Sequence, residues 1–219
     1  LLGRLAKLVK QRDPSRRFLA TSSSGPRFYA REEDYGKGLH WDVHGPWKVM
    51  GKVDAAWKRY WDNDDALFRS EVGAPGASPL AMLRLYANGQ DLLLGKEKPW
   101  WNYPLRWWNE HDSFVAENGH EPESPEEYVE WSQKRQTEIL SYIVAHEKQR
   151  FPACGGILIW MGHDSFPMPN GPALLDFDGE PKPVVLALSK IFNSTREAVK
   201  KPSLKTTAAE ARQKAPAEA

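Results

Sequence analysis

Ala66-Leu67-Phe68-Arg69-Ser70-Glu71 is a short apolar run that ends on a carboxylate and is closed by Gly73, Pro75 and Gly76. Four to six residues bounded by turn formers predict a strand, not a helix. Three similar runs flank it. Phe18-Leu19-Ala20-Thr21 is closed by three serines and Gly25-Pro26, Leu39 to His44 by Gly45-Pro46, and Gly155 to Trp160 is nearly continuous in Ile, Leu and Trp. The last run does not alternate, which predicts burial on both faces, as in a parallel sheet.

Helical patterns lie between these runs. Leu1, Leu2, Leu5, Leu8 and Val9 recur at helical spacing up to Asp13-Pro14. A helix is predicted from about Trp47 to Trp61, weakened by Gly51, and another over residues 79–87. Ser124-Pro125-Glu126-Glu127 opens a strong helix, with Ser as cap, Pro at the first position and acids in the first turn. Ile139, Leu140, Ile143 and Val144 form its apolar stripe. Val184, Leu188, Ile191 and Phe192 mark a final helix. Residues 88–125, rich in Gly, Pro, Asn and Trp, show no sustained period and are predicted to be a long loop. From Lys200 the chain is Lys, Ala, Glu, Thr and Pro, which predicts a disordered tail over 200–219.

Strands alternating with helices imply a parallel α/β sheet, with any site at the strand C-terminal ends. The 219 residues carry net charge +1, with 41% hydrophobic and 27% charged residues. No global field points to nucleic acid, and no apolar run reaches membrane-span length. The lone Cys154 excludes an internal disulfide and a cysteine-rich metal site. His40, His44 and His163 match no metal-ligand spacing, so no metal or cofactor is expected. The chain starts at Leu1 inside an amphipathic pattern with no cap before it, and we read it as cut within a helix.

Parallel strands would bring His44, Trp47, Glu71, Trp160, His163 and Asp164 to one rim. Carboxylates beside aromatic planes suit glycoside hydrolysis, which needs two carboxylates and a means of holding a sugar. Glu71 is the candidate nucleophile; an arbitrary strand-end Glu more often faces solvent. Alternation sets Arg69 on the face of Glu71, one layer deeper, where a cation would keep a nucleophilic carboxylate ionised. Trp160 reads equally as a sugar platform or a core residue. His44 reads equally as an orienting or a structural group. His163 and Asp164 could bind hydroxyls or cap a turn. Trp100, Trp101, Trp107 and Trp108 suit a small satellite core under the long loop better than a pocket wall. Asn109-Glu110 is set aside as acid/base, because it follows the candidate nucleophile and sits in a loop.

These phrases together resemble family 2 glycoside hydrolases of the β-mannosidase type, over about residues 1–195. Asp13-Pro14-Ser15-Arg16-Arg17 with Ser22-Ser23-Ser24, Trp41-Asp42-Val43-His44 with Trp47, Phe68-Arg69-Ser70-Glu71-Val72-Gly73, and Gly155 to Trp160 with Asp164 and Pro167 are similar to the passages around barrel strands five to eight. Asp176 to Pro183 resembles the segment entering the last helix. The resemblance implies the C-terminal half of a (β/α)8 barrel over residues 1–199, within a longer multidomain chain. It implies retaining exo-hydrolysis of a β-linked oligosaccharide or glycoside, with Glu71 as nucleophile. The acid/base Glu, the first half of the barrel and the N-terminal β-domains would lie upstream, so this piece alone would be inactive. It also implies a cis peptide at Trp160–Met161, and a secreted or periplasmic setting. Met161-Gly162-His163, Val72-Gly73-Ala74 and Gly45-Pro46 depart from the family's usual residues around the pocket, which bears on the sugar preferred. A non-catalytic carbohydrate-binding relative is the alternative.

Overall fold

A computed structural model describes residues 1–200 of the chain. Apart from Lys200, the expected tail lies outside the described residues.

Three parallel strands form the central sheet: β1 (Val43–His44), β2 (Arg69–Val72) and β4 (Ile157–Ile159), in the spatial order β1-β2-β4. Val43 pairs with Arg69 and His44 with Glu71, while Arg69 pairs with Ile157 and Val72 with Ile159. Glu71 therefore sits near the C-terminal end of the middle strand. Two short strands, β3 (Gly76–Ala77) and β5 (Asn170–Gly171), pair antiparallel beside the sheet. Helices α2 (Ala55–Asp62), α3 (Leu80–Tyr86), α4 (His111–Asn118) and α5 (Pro125–Gln149) fill the connections between strands. α1 (Leu2–Arg12) precedes β1 and α6 (Pro183–Asn193) ends the fold. The class is the mixed α/β expected, with a small parallel sheet.

Helix α5 is the main support. The Ser124 hydroxyl accepts from Glu127 N at 3.1 Å, as the opening tetrapeptide requires. Its stripe of Ile139, Leu140, Ile143 and Val144 is buried against Val72, Ala74, Trp61, Val184 and Leu188. Each such side chain contributes about 1.5–3 kcal/mol through removal of apolar surface from water. A second cluster gathers Leu83, Trp101, Phe114 and Tyr128 under the long connection.

Several sequence expectations are corrected. Phe18–Thr21 is not a strand. Leu19 is exposed, and Thr21 to Ser24 instead form a turn in which the Thr21 hydroxyl donates to Ser23 O at 3.0 Å. The free edge of β1 is taken by Tyr29, and His44 N donates to Phe28 O at 2.9 Å. The helix expected from Trp47 begins only at Ala55. Gly51 adopts φ +71°, and Asp54 caps the helix by accepting from Ala56 N and Trp57 N, both at 2.9 Å. The long connection is not all loop, because it holds α4, stopped by Gly119 at φ +81°. β4 is not covered on both faces: Leu158 is 55% exposed on an edge strand.

Replacing Ile143 by Ala should lower unfolding free energy by about 2–5 kcal/mol. The shift in urea midpoint, at unchanged slope, measures it.

Candidate active site

Glu71 lies in a cavity of about 310 Å³ whose other walls are Trp47, Trp107, Trp108 and Trp160. Strand β2 delivers the carboxylate, and the turn after it fixes the floor. Gly73 N donates to Pro46 O at 3.1 Å, and a β-carbon on Gly73 would stand only 2.5 Å from Trp160 O. Only glycine lets the two strand ends approach this closely. The Trp160–Met161 peptide is cis, as the resemblance implies.

Two side chains address the Glu71 carboxylate from the end of β1. Trp47 Nε1 donates to Oε1 at 2.8 Å. His44 Nδ1 stands 3.7 Å from Oε2, beyond hydrogen-bond length. The other ring nitrogen of His44 is 2.9 Å from the Ser22 hydroxyl, which donates to Ser70 Oγ at 2.9 Å. His44 is thus held by hydroxyls on one side and faces the carboxylate on the other. The serines were not singled out as site residues. The signal lay in Ser22-Ser23-Ser24, which reaches the site from a turn, not from a strand end.

The tryptophans divide. Trp160 is 36% exposed and stacks on Trp108, with ring centroids 5.8 Å apart and planes 28° from parallel. Trp108 packs edge-on against Trp107 at 4.4 Å. Trp107 and Trp108 therefore form a pocket wall, while Trp100 and Trp101 belong to the satellite core. The expectation of a satellite core holds for half of this cluster.

Arg69 does not act on Glu71 through an ion pair. Its guanidinium is fully buried and forks onto Asp64, with Nε to Oδ2 at 3.0 Å and Nη2 to Oδ1 at 2.6 Å. Nη1 donates to Gly45 O at 2.5 Å. The charge is spent on Asp64, and Arg69 instead fixes the turn after β1 that carries Trp47.

Asp164 and His163 stand apart from the tryptophan pocket. His163 is exposed. Asp164 is buried, and neither carboxylate oxygen has a hydrogen-bond partner among the described residues. Burial raises its pKa, opposed by the charges of Lys182 and His163. Lys182, itself fully buried, donates to Gly76 O at 2.8 Å and is pushed down to about 8 by burial, against the pull of Asp164 and Asp176. This cluster supports the β3–β5 ribbon. No group of side chains suited to a metal ion occurs among the described residues.

Glu110 is buried and does not line the tryptophan pocket. Its carboxylate lies 3.4 Å from Arg135 Nε. Burial raises its pKa to about 7, opposed by Arg135 and Lys48. An acid with a raised folded pKa destabilises the fold only where it is forced to ionise. That contribution is absent below about pH 4.5 and complete above about pH 7. The stability advantage of Glu110→Gln over the native chain should therefore grow between about pH 4.5 and pH 7 and level off above. Parallel urea titrations of both proteins at several pH values measure it.

No family model and no curated protein sequence matches the chain. Among solved structures it is similar to a β-D-mannosidase from Dictyoglomus thermophilum, with TM-score 0.58 and 18% identity over 86% of this chain. The chain spans 22% of that mannosidase. At this identity the likeness is one of fold.

Proposed function

We propose that the chain is the C-terminal half of the catalytic (β/α)8 barrel of a retaining, β-mannosidase-like exo-glycosidase of glycoside hydrolase family 2. The observation that carries this is Glu71 at the C-terminal end of a parallel strand, inside a tryptophan-lined cavity of one-sugar size. The fold likeness to a β-mannosidase supports the same class.

In this mechanism a Glu71 oxygen attacks the anomeric carbon, and the bond from that carbon to the leaving oxygen breaks. A second carboxylic acid gives its proton to the leaving oxygen. Water then attacks the same carbon, passes a proton to that carboxylate and releases Glu71. Trp47 holds Oε1, and Trp160 offers a plane for the sugar's C–H face. The partner supplying the second carboxylate is the polypeptide that completes the barrel, and residues 1–219 alone would turn over poorly. No cofactor enters the reaction.

One observation favours the alternative of a non-catalytic carbohydrate-binding protein. Among the described residues, Glu71 is the only carboxylate lining the tryptophan pocket.

Incubating the full protein with 2-deoxy-2-fluoro-glycosides of several sugars separates the two. The expected result is a mass gain of one glycosyl unit on the peptide carrying Glu71, absent in Glu71→Gln. Saccharide binding without labelling by any reagent would establish the binding protein instead. Glu71→Gln should lower kcat at least roughly 10³-fold. Trp47→Phe removes one hydrogen bond to a charged group and should lower kcat roughly 10- to 100-fold in steady-state assays.

A further inference from the structure

Trp107 and Trp108 reach the pocket on a single 3-10 turn, Arg106–Trp108, inside the long connection. So short a turn does little to hold itself. Its backbone bonds run from Trp108 N to Leu105 O and from Asn109 N to Arg106 O, both 3.0 Å. The carbonyls that follow, of Trp107, Trp108 and Asn109, have no backbone donor among the described residues. A carbonyl away from water needs a partner, and side chains from outside the connection supply one to each.

Lys48 serves two of them. Its Nζ donates to Trp107 O at 2.7 Å and to Asn109 O at 2.6 Å. Bonds from an ammonium are stronger than neutral ones. Asn170 serves the carbonyl in between. It is fully buried in β5, and its Nδ2 donates to Trp108 O at 2.6 Å and to Tyr128 Oη at 2.9 Å. A carbonyl can only accept, so the amide must turn its nitrogen to Trp108, and both of its N–H groups are then used. Lys48 follows Trp47, which holds Glu71, and Asn170 lies in the connection that leaves Trp160. The wall is thus tied on one side to the residue beside the carboxylate and on the other to the segment carrying the ring it stacks on.

We infer that Lys48 and Asn170 are positioning residues that hold Trp108 stacked on Trp160, so that the aromatic surface beside Glu71 is set before any sugar arrives. Neither side chain lines the Glu71 pocket, so each acts through the tryptophans. That the surface receives a sugar rests on the glycosidase reading proposed above; the clamp on residues 107–109 does not. Losing the clamp lets the turn shift, and the area offered to a ring falls with it.

The test uses the full protein and two readouts. Stacked indoles couple their electronic transitions, and the resulting circular dichroism depends on their relative orientation. The band lost in Trp160→Phe defines the contribution of the stacked pair. Lys48→Met keeps the side chain's length and removes its donors. It should lose most of that band while the helical signal stays, and Lys48→Arg should retain it. Asn170→Asp, equal in size and unable to donate when ionised, should lose the band as well. For affinity, calorimetry on the Glu71→Gln protein uses β-1,4-mannotriose and cellotriose. Lys48→Met should weaken the trisaccharide that binds roughly 3- to 10-fold, and Lys48→Arg should recover it. In the active protein, Lys48→Met should raise KM for that trisaccharide more than it lowers kcat. An unchanged band in Lys48→Met would overturn the clamp, whether or not Asn170→Asp folds. A lost band with undiminished affinity, or with a fall in kcat larger than the rise in KM, would overturn the role in sugar binding. A protein whose band responds as expected but that binds and hydrolyses no saccharide would sink the glycosidase reading and leave the clamp standing.

Discussion

The buried pair of Arg69 and Asp64 is the constraint on which the site's geometry depends. Both side chains are shut off from solvent. Arg69 also lies over the Trp61 ring at 4.4 Å and donates to Gly45 O. Asp64 receives a second cation, Arg150 at 3.2 Å, from the residue just after α5. Burial would raise the Asp64 pKa, yet Arg69 and its hydrogen bonds hold it below the usual carboxylate range. Taking two charges out of water is expensive, and removing one partner of such a pair costs about 3–5 kcal/mol. The pair therefore has one low-energy arrangement. That arrangement ties the end of β1, the start of β2 and the end of α5 to one point.

From that point the pocket follows. Fixing Gly45 fixes the turn that ends in Trp47, and Trp47 sets the orientation of Glu71. The same strand, β2, carries Arg69 and Glu71 two residues apart, so the anchor and the half-buried carboxylate cannot move independently. Gly73 then lets Trp160 close the far side. The tryptophan wall comes from a different source, the long connection between β2 and β4, and rests on the satellite core of Trp101, Phe114 and Tyr128. One side of the pocket is thus built by charge pairing and the other by apolar packing.

Much of this was legible in the sequence, and the failures have physical causes. Ser124-Pro125-Glu126-Glu127 and the stripe behind it located α5 because local capping and burial agree there. The strand centres were legible, but their lengths were not, since only two to four residues of each find ladder partners. Phe18–Thr21 looked like a strand on composition, yet pairing is decided by neighbours, and Tyr29 holds that edge of β1. Helix α4 escaped because it buries Ser113 beside Phe114 and so lacks an apolar stripe, although Asn118-Gly119 marks its end. For Arg69, alternation along the strand identified the layer but not the partner. Asp64 is five residues away along the chain, across a turn that no periodicity describes. Trp107 and Trp108 could not be told from Trp100 and Trp101 by residue type, because an aromatic side chain serves wall and core alike.

The two oxygens of a free carboxylate are equivalent, and this site breaks that symmetry. An indole N–H can only donate, so Trp47 commits a lone pair of Oε1. Oε2 faces His44 across a gap too long for a hydrogen bond, and keeps its electrons free. In the proposed chemistry the protein thereby chooses which oxygen meets the sugar. With that choice goes the line along which the attacking oxygen approaches the anomeric carbon.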